Sequence, residues 1–331
     1  MKFGIHLNHE YDKTDDLQRR IEELLTYART ARDLGYDSIF GMHHYLSSLA
    51  TVQPLPLLAR LIPESGDMRL GIGIYLAYEH PVILAENFAT IDQLSGGRLV
   101  LGLGAGYRQN EFDAMGMDRE TRVSRMLEGV EVVKRLWTGE PVHHRGACFT
   151  IDGEAASIVP LQQPRPPIWL GANGEKGVRR VARVADAWIA PPNVKARWAK
   201  GHLQYFKDEL ERQGIDPAVR EYPLIRELYI GDSDASAAAE VSDYLRREYT
   251  SYSVYGDEVA YWRTMFDDLL AKAFLIGSPE TVAAKLADFA EAGFNHFLFR
   301  VSWAGMPADQ ALTTIERLAT EVMPRLQRAT A

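Results

Sequence analysis

The feature that most restricts the fold is an alternation, repeated along the whole chain, of short apolar runs with longer segments of helical period. Short runs rich in β-branched and aromatic residues predict buried strands, and a 3.6-residue period predicts amphipathic helices. This pattern is typical of repeated βα units. The eight runs span residues 2–7, 37–42, 69–75, 99–103, 167–170, 187–190, 224–230 and 295–301.

Eight strands that each precede a helix favour a closed parallel barrel over an open sheet. We therefore predict an α/β protein with a (β/α)8 TIM-barrel fold, formed by a single domain over residues 1–331. The excess over the roughly 250 residues of a typical barrel falls into two predicted insertions. One is a hairpin-like segment after strand 4, over 141–166, and the other is a helical segment between strands 7 and 8, over 231–293. Within the second, we expect the stretch 249–258 to be a mobile loop over the active face.

Composition restricts the class of function. Cys148 is the only cysteine, so an internal disulfide and a four-thiolate metal site are both excluded. The formal net charge is −8 and no stripe of Lys and Arg is present, so we expect no nucleic-acid partner. We find neither a secretory signal pattern nor an apolar run of about 18 residues, and we therefore expect a cytoplasmic protein without a membrane partner. A cytosolic enzyme or binding protein fits these limits.

Strand 2 runs directly into His43 and His44. Residues that follow a barrel strand lie at the face where barrel enzymes carry their active sites. Neighbouring strand residues point to opposite sides, so one of the two imidazoles is expected to face the pocket. A catalytic imidazole is the favoured interpretation, and a packing or surface histidine is the alternative. We predict no metal, because the pair lacks the spacing and the glutamate of an HExxH site.

The ends of strands 4 and 5 have the character of a binding site for a flat or phosphorylated ligand. Glycines 102, 104 and 106 let the backbone approach such a ligand closely, although strand packing alone is the alternative explanation. Tyr107 stands where a dinucleotide-binding motif requires glycine, so a Rossmann interpretation is weak. After strand 5, the turn 171–177 opens a helix whose unpaired N–H groups and positive dipole end would stabilise a phosphate.

Five stretches, in this order, resemble the bacterial luciferase-like family of flavin-dependent oxidoreductases. They are KFGIHL, FGMHHY, HPVILAENFATIDQLSGGRLVLGLGAGYRQNEFDAMG, ADAW and GSPETVAAKLADFAEAGFNHFLFR, which together reach from one end of the chain to the other. The resemblance implies a (β/α)8 barrel that holds reduced FMN, or a deazaflavin coenzyme, at the C-terminal ends of its strands.

The resemblance also implies roles for individual residues. In the luciferase branch a histidine after strand 2 assists the reaction of reduced FMN with oxygen, and His43 matches that position, with His44 beside it. Two departures from luciferase are Met42, where that branch has an acidic residue, and Ala105, where it has an arginine; the nearest arginine here is Arg108. The implied cofactor contacts are Ile72, Gly73, Glu86, Ala105, Gly106, Tyr107, Glu111, Asn173, Gly174 and Glu175.

For the substrate we single out four residues at strand ends. Met42 and Tyr75 are candidates for apolar pocket walls, although packing alone is the alternative. Arg226 and Arg300 are candidates for holding an anionic substrate, and an ion pair with Glu227 or another carboxylate is the alternative for either.

From this resemblance, the leading hypothesis is a two-component FMNH2-dependent monooxygenase. A separate flavin reductase would supply reduced FMN, O2 would add to give a 4a-hydroperoxyflavin, and a small organic substrate would be oxygenated. We expect a homodimer or a higher homo-oligomer. The alternatives are a deazaflavin-dependent oxidoreductase that transfers hydride and a catalytically silent flavin-binding relative. Met42, in place of an acid before the histidines, favours FMN over the deazaflavin.

Overall fold

A computed structural model describes residues 1–255 and 264–329 of the protein. Every one of the eight predicted strands is present, with ends that differ from the predicted ones by a single residue at most. Their sequences are mostly apolar because strands of a parallel sheet are buried on both faces, and the charged exceptions include Arg226 and Glu227 in the strand over Pro223–Ile230. The eight strands are β1 (Lys2–His6), β3 (Ser38–Gly41), β5 (Arg69–Tyr75), β6 (Leu99–Gly104), β9 (Ile168–Gly171), β10 (Ala187–Ile189), β11 (Pro223–Ile230) and β13 (His296–Arg300).

These strands and β12 (Leu275–Gly277) form one nine-stranded sheet in the order β10-β9-β6-β5-β3-β1-β13-β11-β12. Every pairing within it is parallel. A further parallel bridge joins Ala190, after β10, to Leu224 in β11. The sheet therefore curls round so that β10 meets β11, which confirms the prediction of a parallel α/β fold with a curled sheet.

Helices follow the strands as the sequence pattern predicts, and their ends carry recognisable caps. The side chain of Asp16 accepts from the backbone N–H groups of Gln18 and Arg19 at the start of α1. Ser278 caps α10 in the same way, with Pro279 at the first helical position. The helices are α1 (Leu17–Asp33), α2 (Pro54–Leu61), α3 (Pro81–Leu94), α4 (Gln109–Ala114), α5 (Arg122–Leu136), α6 (Gly174–Val184), α7 (Ala196–Arg212), α8 (Asp234–Tyr252), α9 (Phe266–Lys272), α10 (Pro279–Glu291), α11 (Ala308–Arg317) and α12 (Met323–Ala329).

The inside of the curled sheet is filled by a small cluster of large side chains. Phe40 stacks on Trp169 with ring centroids 5.0 Å apart, and Val100, Ala187 and Leu298 pack around them. Gly71 makes room for this stack, because a Cβ atom there would lie 2.0 Å from the Phe40 ring. The interior of the sheet is therefore filled by packing at this level.

The two predicted insertions have the following structure. In the first, β7 (Val142–Arg145) and β8 (Thr150–Glu154) pair as an antiparallel hairpin. The second contains α8, α9, β12 and α10. The expected loop over 249–258 is instead helical as far as it is described, since 249–252 end α8 and 253–255 form a 3-10 turn; 256–258 lie outside the described residues. A short antiparallel pair, β2 (Glu10–Tyr11) with β4 (Ala50–Thr51), also lies outside the main sheet.

None of the helices that the structure describes combines the length and the apolar character that a membrane crossing needs.

Candidate active site

A cavity of about 440 Å³ opens at the C-terminal ends of β5, β6, β9 and β10. We call it the main cavity. Its position is the one at which parallel barrels carry their active sites. One side consists of backbone from the loop 104–106 and from 171–172, and Met42, Tyr75 and Tyr107 contribute side chains. Its remaining lining includes Arg122, Asn173, Gly177, Arg180, Tyr249, Tyr252 and Arg300.

The loop after β6 requires glycine for two separate reasons. Gly106 has a φ of +77°, where other residues are strained, and a Cβ there would lie 2.7 Å from the Tyr78 hydroxyl oxygen. A Cβ on Gly104 would lie 3.1 Å from the Tyr75 ring. Packing against the two tyrosines therefore requires both glycines. Among residues 104–106, which border the main cavity, only Ala105 has a side chain, a single methyl group.

The first turn of α6 forms the opposite end of the main cavity. Its N-cap residue, Asn173, is extended and makes no side-chain capping bond within the described chain, so the first N–H groups of the helix remain available to a ligand. Gly177 and Arg180 follow at spacings of four and three residues and line the cavity on the same helix face. Helix N–H groups, a helix dipole and a guanidinium together make an anion site.

His44 is buried in a chain of hydrogen bonds that reaches the main cavity. Its Nδ1 lies 3.1 Å from Oε1 of Glu111, and its Nε2 lies 3.2 Å from the hydroxyl of Tyr75. Glu111 also accepts from the backbone N–H of Tyr45 at 2.8 Å and from the Tyr78 hydroxyl at 2.7 Å. A carboxylate only accepts, so Nδ1 of His44 carries the proton and Nε2 accepts from Tyr75.

The charges in this chain are controlled by burial. Burial raises the pKa of Glu111, and it lowers the pKa of His44 well below its usual range. The Tyr75 hydroxyl is held neutral, because burial raises its pKa well above the usual range. Near neutral pH the chain therefore consists of a carboxylate, a neutral imidazole and a phenol that borders the cavity.

His43 points to the other side of the strand end. It borders a separate cavity of about 310 Å³ beside α2 and α3, together with Tyr45 and Gln53, and burial lowers its pKa to about 4. Its ring lies edge-on to Tyr45 with centroids 4.1 Å apart. The two imidazoles thus diverge, as strand geometry predicts. Neither imidazole belongs to the described lining of the main cavity. The expectation that His43 faces that cavity is corrected, because His44 is the one joined to the lining, through the Tyr75 hydroxyl.

Arg300 lies at the rear of the main cavity between two buried carboxylates. Its guanidinium is 3.1 Å from Glu227 and 2.6 Å from Glu248. Glu227 also accepts from the indole N–H of Trp303 at 2.7 Å. Burial, together with the nearby charge of Glu10, raises the pKa of Glu248 to about 7, although Arg300 opposes the shift. The ion-pair alternative for Arg300 is therefore the one that the structure supports.

The family model described as luciferase-like monooxygenase matches residues 1–296. The chain belongs to this luciferase-like family. Among its relatives is the oxygenase component of the flavin-dependent trigonelline monooxygenase of Acinetobacter baylyi, 25% identical, with 98% of this chain and 95% of the relative covered. Another is the 5,10-methylenetetrahydromethanopterin reductase of Archaeoglobus fulgidus, also 25% identical, with coverages of 99% and 100%.

Solved structures of the same fold include the monooxygenase RslO1 from Streptomyces bottropensis, with a TM-score of 0.89 and 24% identity over 98% of this chain and 99% of that one. An F420-dependent secondary alcohol dehydrogenase, in complex with an F420-acetone adduct, has a TM-score of 0.81 and 20% identity, with 98% of both chains covered. Both confirm the luciferase-like architecture. Membership of this family makes the chain an oxidoreductase. Its relatives include enzymes named as flavin-dependent and enzymes named as F420-dependent.

Several residues that the luciferase-like resemblance implies as cofactor contacts lie elsewhere. Ile72 is buried in the core between the sheet and the helices, whereas Gly73, one residue later, is partly exposed near Met42 at the strand end. Glu86 accepts from the backbone N–H of Ser157 at 2.9 Å and so anchors the loop after β8. These corrections have the same cause. A match in sequence position does not determine which side of a strand or helix the side chain faces.

Two further corrections concern charged residues. Glu175 pairs with Arg179 on the exposed side of α6 at 2.8 Å, and neither it nor Gly174 belongs to the described lining of the main cavity. Arg226 points outward from β11, donates to the carbonyls of Pro191 and Val194, and lies over the ring of Phe289, 4.7 Å from its centroid. Burial lowers its pKa to about 9. An anionic substrate in the main cavity is therefore not expected to reach Arg226.

Sequence reasoning missed the residues that α6 and α8 contribute. Arg180 could have been found, because it is on the same helix face as Asn173 and Gly177. Tyr249 and Tyr252 border the cavity, and Glu248 pairs with Arg300. The stretch 249–258 was expected over the active face, but as a loop, so the two tyrosines were not singled out as wall residues and Glu248 was not singled out as a partner of Arg300.

Proposed function

We propose that the protein is the oxygenase component of a two-component flavin-dependent monooxygenase that binds reduced FMN in the main cavity. The observation that carries this proposal is the pairing of a bare glycine-loop wall with an anion site at the start of α6 in one cavity. The relative from Acinetobacter baylyi, which is the oxygenase component of such an enzyme, supports the same assignment.

The residues present fit a flat ring system that carries a phosphate. The backbone of 104–106 would pack against the ring, because no side chain projects from the glycines. Asn173, the N–H groups that follow it and Arg180 would hold the phosphate. Reduced FMN supplies the two electrons for the reduction of O2 when it is bound.

The hydrogen-bonded chain from Glu111 through His44 to Tyr75 would handle the proton that this reaction consumes. Tyr75 borders the cavity and would donate its hydroxyl proton there. The lost proton would be replaced from solvent or substrate, because Nε2 of His44 carries no proton to give back. His44, oriented by Glu111, then accepts again from the restored hydroxyl. This assigns the proton-donating role to Tyr75 and its positioning to His44, and leaves His43 to support the strand end.

The tyrosines and Met42 around the cavity would keep water from the reacting atoms. Tyr75, Tyr107 and Tyr252 present apolar ring faces, and Met42 covers the end of β3. A separate flavin reductase would deliver the reduced cofactor, as the description of the Acinetobacter relative as one component of an enzyme suggests. We further propose that the chain forms one domain and acts in the cytoplasm as a homodimer or larger homo-oligomer.

A deazaflavin-dependent oxidoreductase is the second candidate. The buried carboxylate-imidazole pair of Glu111 and His44 favours it, because hydride transfer also needs a group that takes or gives a proton at the same place. Relatives named for F420-dependent reactions, such as the hydroxymycolic acid dehydrogenase of Mycobacterium tuberculosis, 26% identical, support it as well.

The phosphate assignment predicts a selective loss of FMN affinity. Arg180→Gln should weaken FMN binding by about 10- to 100-fold, since a charge-assisted hydrogen bond is removed, and should leave riboflavin binding unchanged. Calorimetric titration of both ligands measures this.

Arg183→Gln is the matched control, because it is the same substitution three positions further along α6. Arg183 pairs with Glu209 on the outer side of α6, so its replacement should change FMN affinity less than about twofold. Equal weakening of FMN and riboflavin by Arg180→Gln, or an equal effect of Arg183→Gln, would show that the phosphate does not lie at this helix.

A further inference from the structure

Arg108 is a buried arginine whose charged edge has no hydrogen-bond partner in the part of the chain that the structure describes. It is 0% exposed, at the N-cap of α4 directly after Tyr107. Its Nη1 and Nη2 atoms have no hydrogen-bond partner among the described residues, and its Nε makes one long contact of 3.4 Å with the Tyr107 hydroxyl. The nearby charge of Glu10 favours the charged guanidinium electrostatically, but the two Nη donors lack the hydrogen bonds that a buried charged group usually makes.

The other two fully buried arginines are treated differently. Arg300 has a carboxylate on each side, and both Nη atoms of Arg226 donate to backbone carbonyls. The protein therefore satisfies the Nη groups of buried arginines elsewhere. The exception lies beside the main cavity, because Tyr107 and Tyr252 contact Arg108 and also line that cavity.

Three tyrosine rings surround the guanidinium of Arg108. Its Cζ atom lies 3.9 Å from the ring centroid of Tyr255, 5.4 Å from that of Tyr252 and 5.8 Å from that of Tyr107. Tyr255 is at stacking distance from the guanidinium, which leaves its edge for hydrogen bonds. Face stacking and edge hydrogen bonding use different directions, so an anion can be bound without loss of the stack.

We propose that Arg108 binds the carboxylate of a planar aromatic monocarboxylate substrate. The fork of Nη1 and Nη2 matches a carboxylate in bidentate geometry, and the tyrosine rings provide flat apolar contacts for an aromatic body. The buried carboxylates of Glu10 and Glu248, both joined to the Tyr252 hydroxyl, disfavour a second negative charge on the ligand. Entry requires a side-chain shift; Tyr107 and Tyr255 are half-buried, whereas Tyr252 is buried.

This inference rests on the proposed function, because that function supplies the reaction that the bound substrate would undergo. It replaces the prediction that Arg226 or Arg300 holds an anionic substrate. Both of those arginines already have partners, so Arg108 is the buried cation near the cavity with Nη groups that are free among the described residues.

Benzoate and benzamide are the probes, because they share a shape and differ in charge. Calorimetric titration, with and without reduced FMN under anaerobic conditions, should show benzoate binding about 10- to 100-fold more tightly than benzamide. Arg108→Gln should abolish that difference and retain benzamide binding. Arg108→Lys keeps the charge but loses the two-pronged guanidinium, and it should weaken benzoate binding about tenfold. This variant tests the proposal if Arg108→Gln does not fold.

Thermal unfolding gives a second readout. Benzoate should raise the Tm of the wild-type protein and leave that of Arg108→Gln unchanged. Because Arg108→Gln also removes a cation that offsets the buried charge of Glu10, the Tm of each protein with benzoate is compared with its own ligand-free Tm. Equal binding of benzoate and benzamide by the wild type would overturn the proposal.

Arg180→Gln separates this proposal from the proposed function. It should weaken FMN and leave benzoate unaffected; a loss of benzoate affinity there instead of in Arg108→Gln would place the carboxylate at the phosphate end and overturn the assignment to Arg108. If the protein binds no reduced FMN but still distinguishes benzoate through Arg108, the proposed function fails and the carboxylate site stands.

Discussion

Replacing Arg300 with methionine is expected to lower the free energy of unfolding by about 3–5 kcal/mol at pH 8. The variant leaves Glu227 and Glu248 buried without the cation that lies between them, at 3.1 and 2.6 Å in the wild type. Urea unfolding followed by circular dichroism measures the loss. The side chain that replaces the arginine is of similar length and apolar, so most of the effect is electrostatic.

The loss should shrink as the pH falls to 5.5. Without Arg300, whose charge opposes the shift, the pKa of Glu248 in the folded protein rises further above the value of about 4.3 in an unfolded chain. A folded state that binds more protons than the unfolded state gains stability as the pH decreases. Arg317→Met is the control, because Arg317 pairs with Glu321 near the surface at 2.7 Å and should cost about 1 kcal/mol or less. A loss at Arg300 that is independent of pH, or no larger than at Arg317, would contradict this interpretation.

Removing the Tyr75 hydroxyl is expected to slow the formation of hydrogen peroxide from bound reduced FMN and O2 by about 100-fold. Tyr75 is the cavity end of the chain that contains His44 and Glu111, so Tyr75→Phe and Glu111→Gln should produce similar losses. Because the two residues act through His44, the double variant should be no slower than either single variant. Stopped-flow oxidation in the absence of substrate gives these rates.

Tyr45→Phe provides the matched control for a lost hydroxyl. The Tyr45 hydroxyl donates to Glu79 at 2.9 Å, beside the smaller cavity, and its loss should change the rate less than about threefold. A pH-rate profile adds a readout that a purely structural defect would not move, since Glu111→Gln should shift the pH dependence while Tyr45→Phe should not. Additive losses in the double variant would mean that Tyr75 and Glu111 do not act together.

The fold could be predicted almost completely because its information is local. Strands buried on both faces are continuous apolar runs, and Ser278, Pro279 and the glycines mark the helix boundaries. The strand β12 was missed because three residues between two helices carry too little pattern. The stretch 249–258 was predicted as a loop because it contains tyrosines and a glycine; in the structure Tyr249 and Tyr252 belong to the end of α8 and line the main cavity.

The sequence could predict which segments contribute to the candidate site, but not the directions in which their side chains point. Strand ends and helix starts identified the glycine loop and Asn173, since backbone geometry alone determines what they offer. Whether His43 or His44 meets the cavity depends on which way the chain turns after β3, and contacts from Glu111 and Tyr75 decide that. The same applies to Arg226 and Arg108, whose partners come from distant parts of the chain.

The choice between flavin and deazaflavin is decided by a direct titration. The protein is titrated anaerobically with reduced FMN and, separately, with a reduced deazaflavin coenzyme, and O2 is then admitted while absorbance is recorded. We predict that reduced FMN binds at least about tenfold more tightly and that O2 produces a transient spectrum distinct from both reduced and oxidised flavin. Tight binding of the deazaflavin alone, with no response to O2, would contradict the assignment as a monooxygenase.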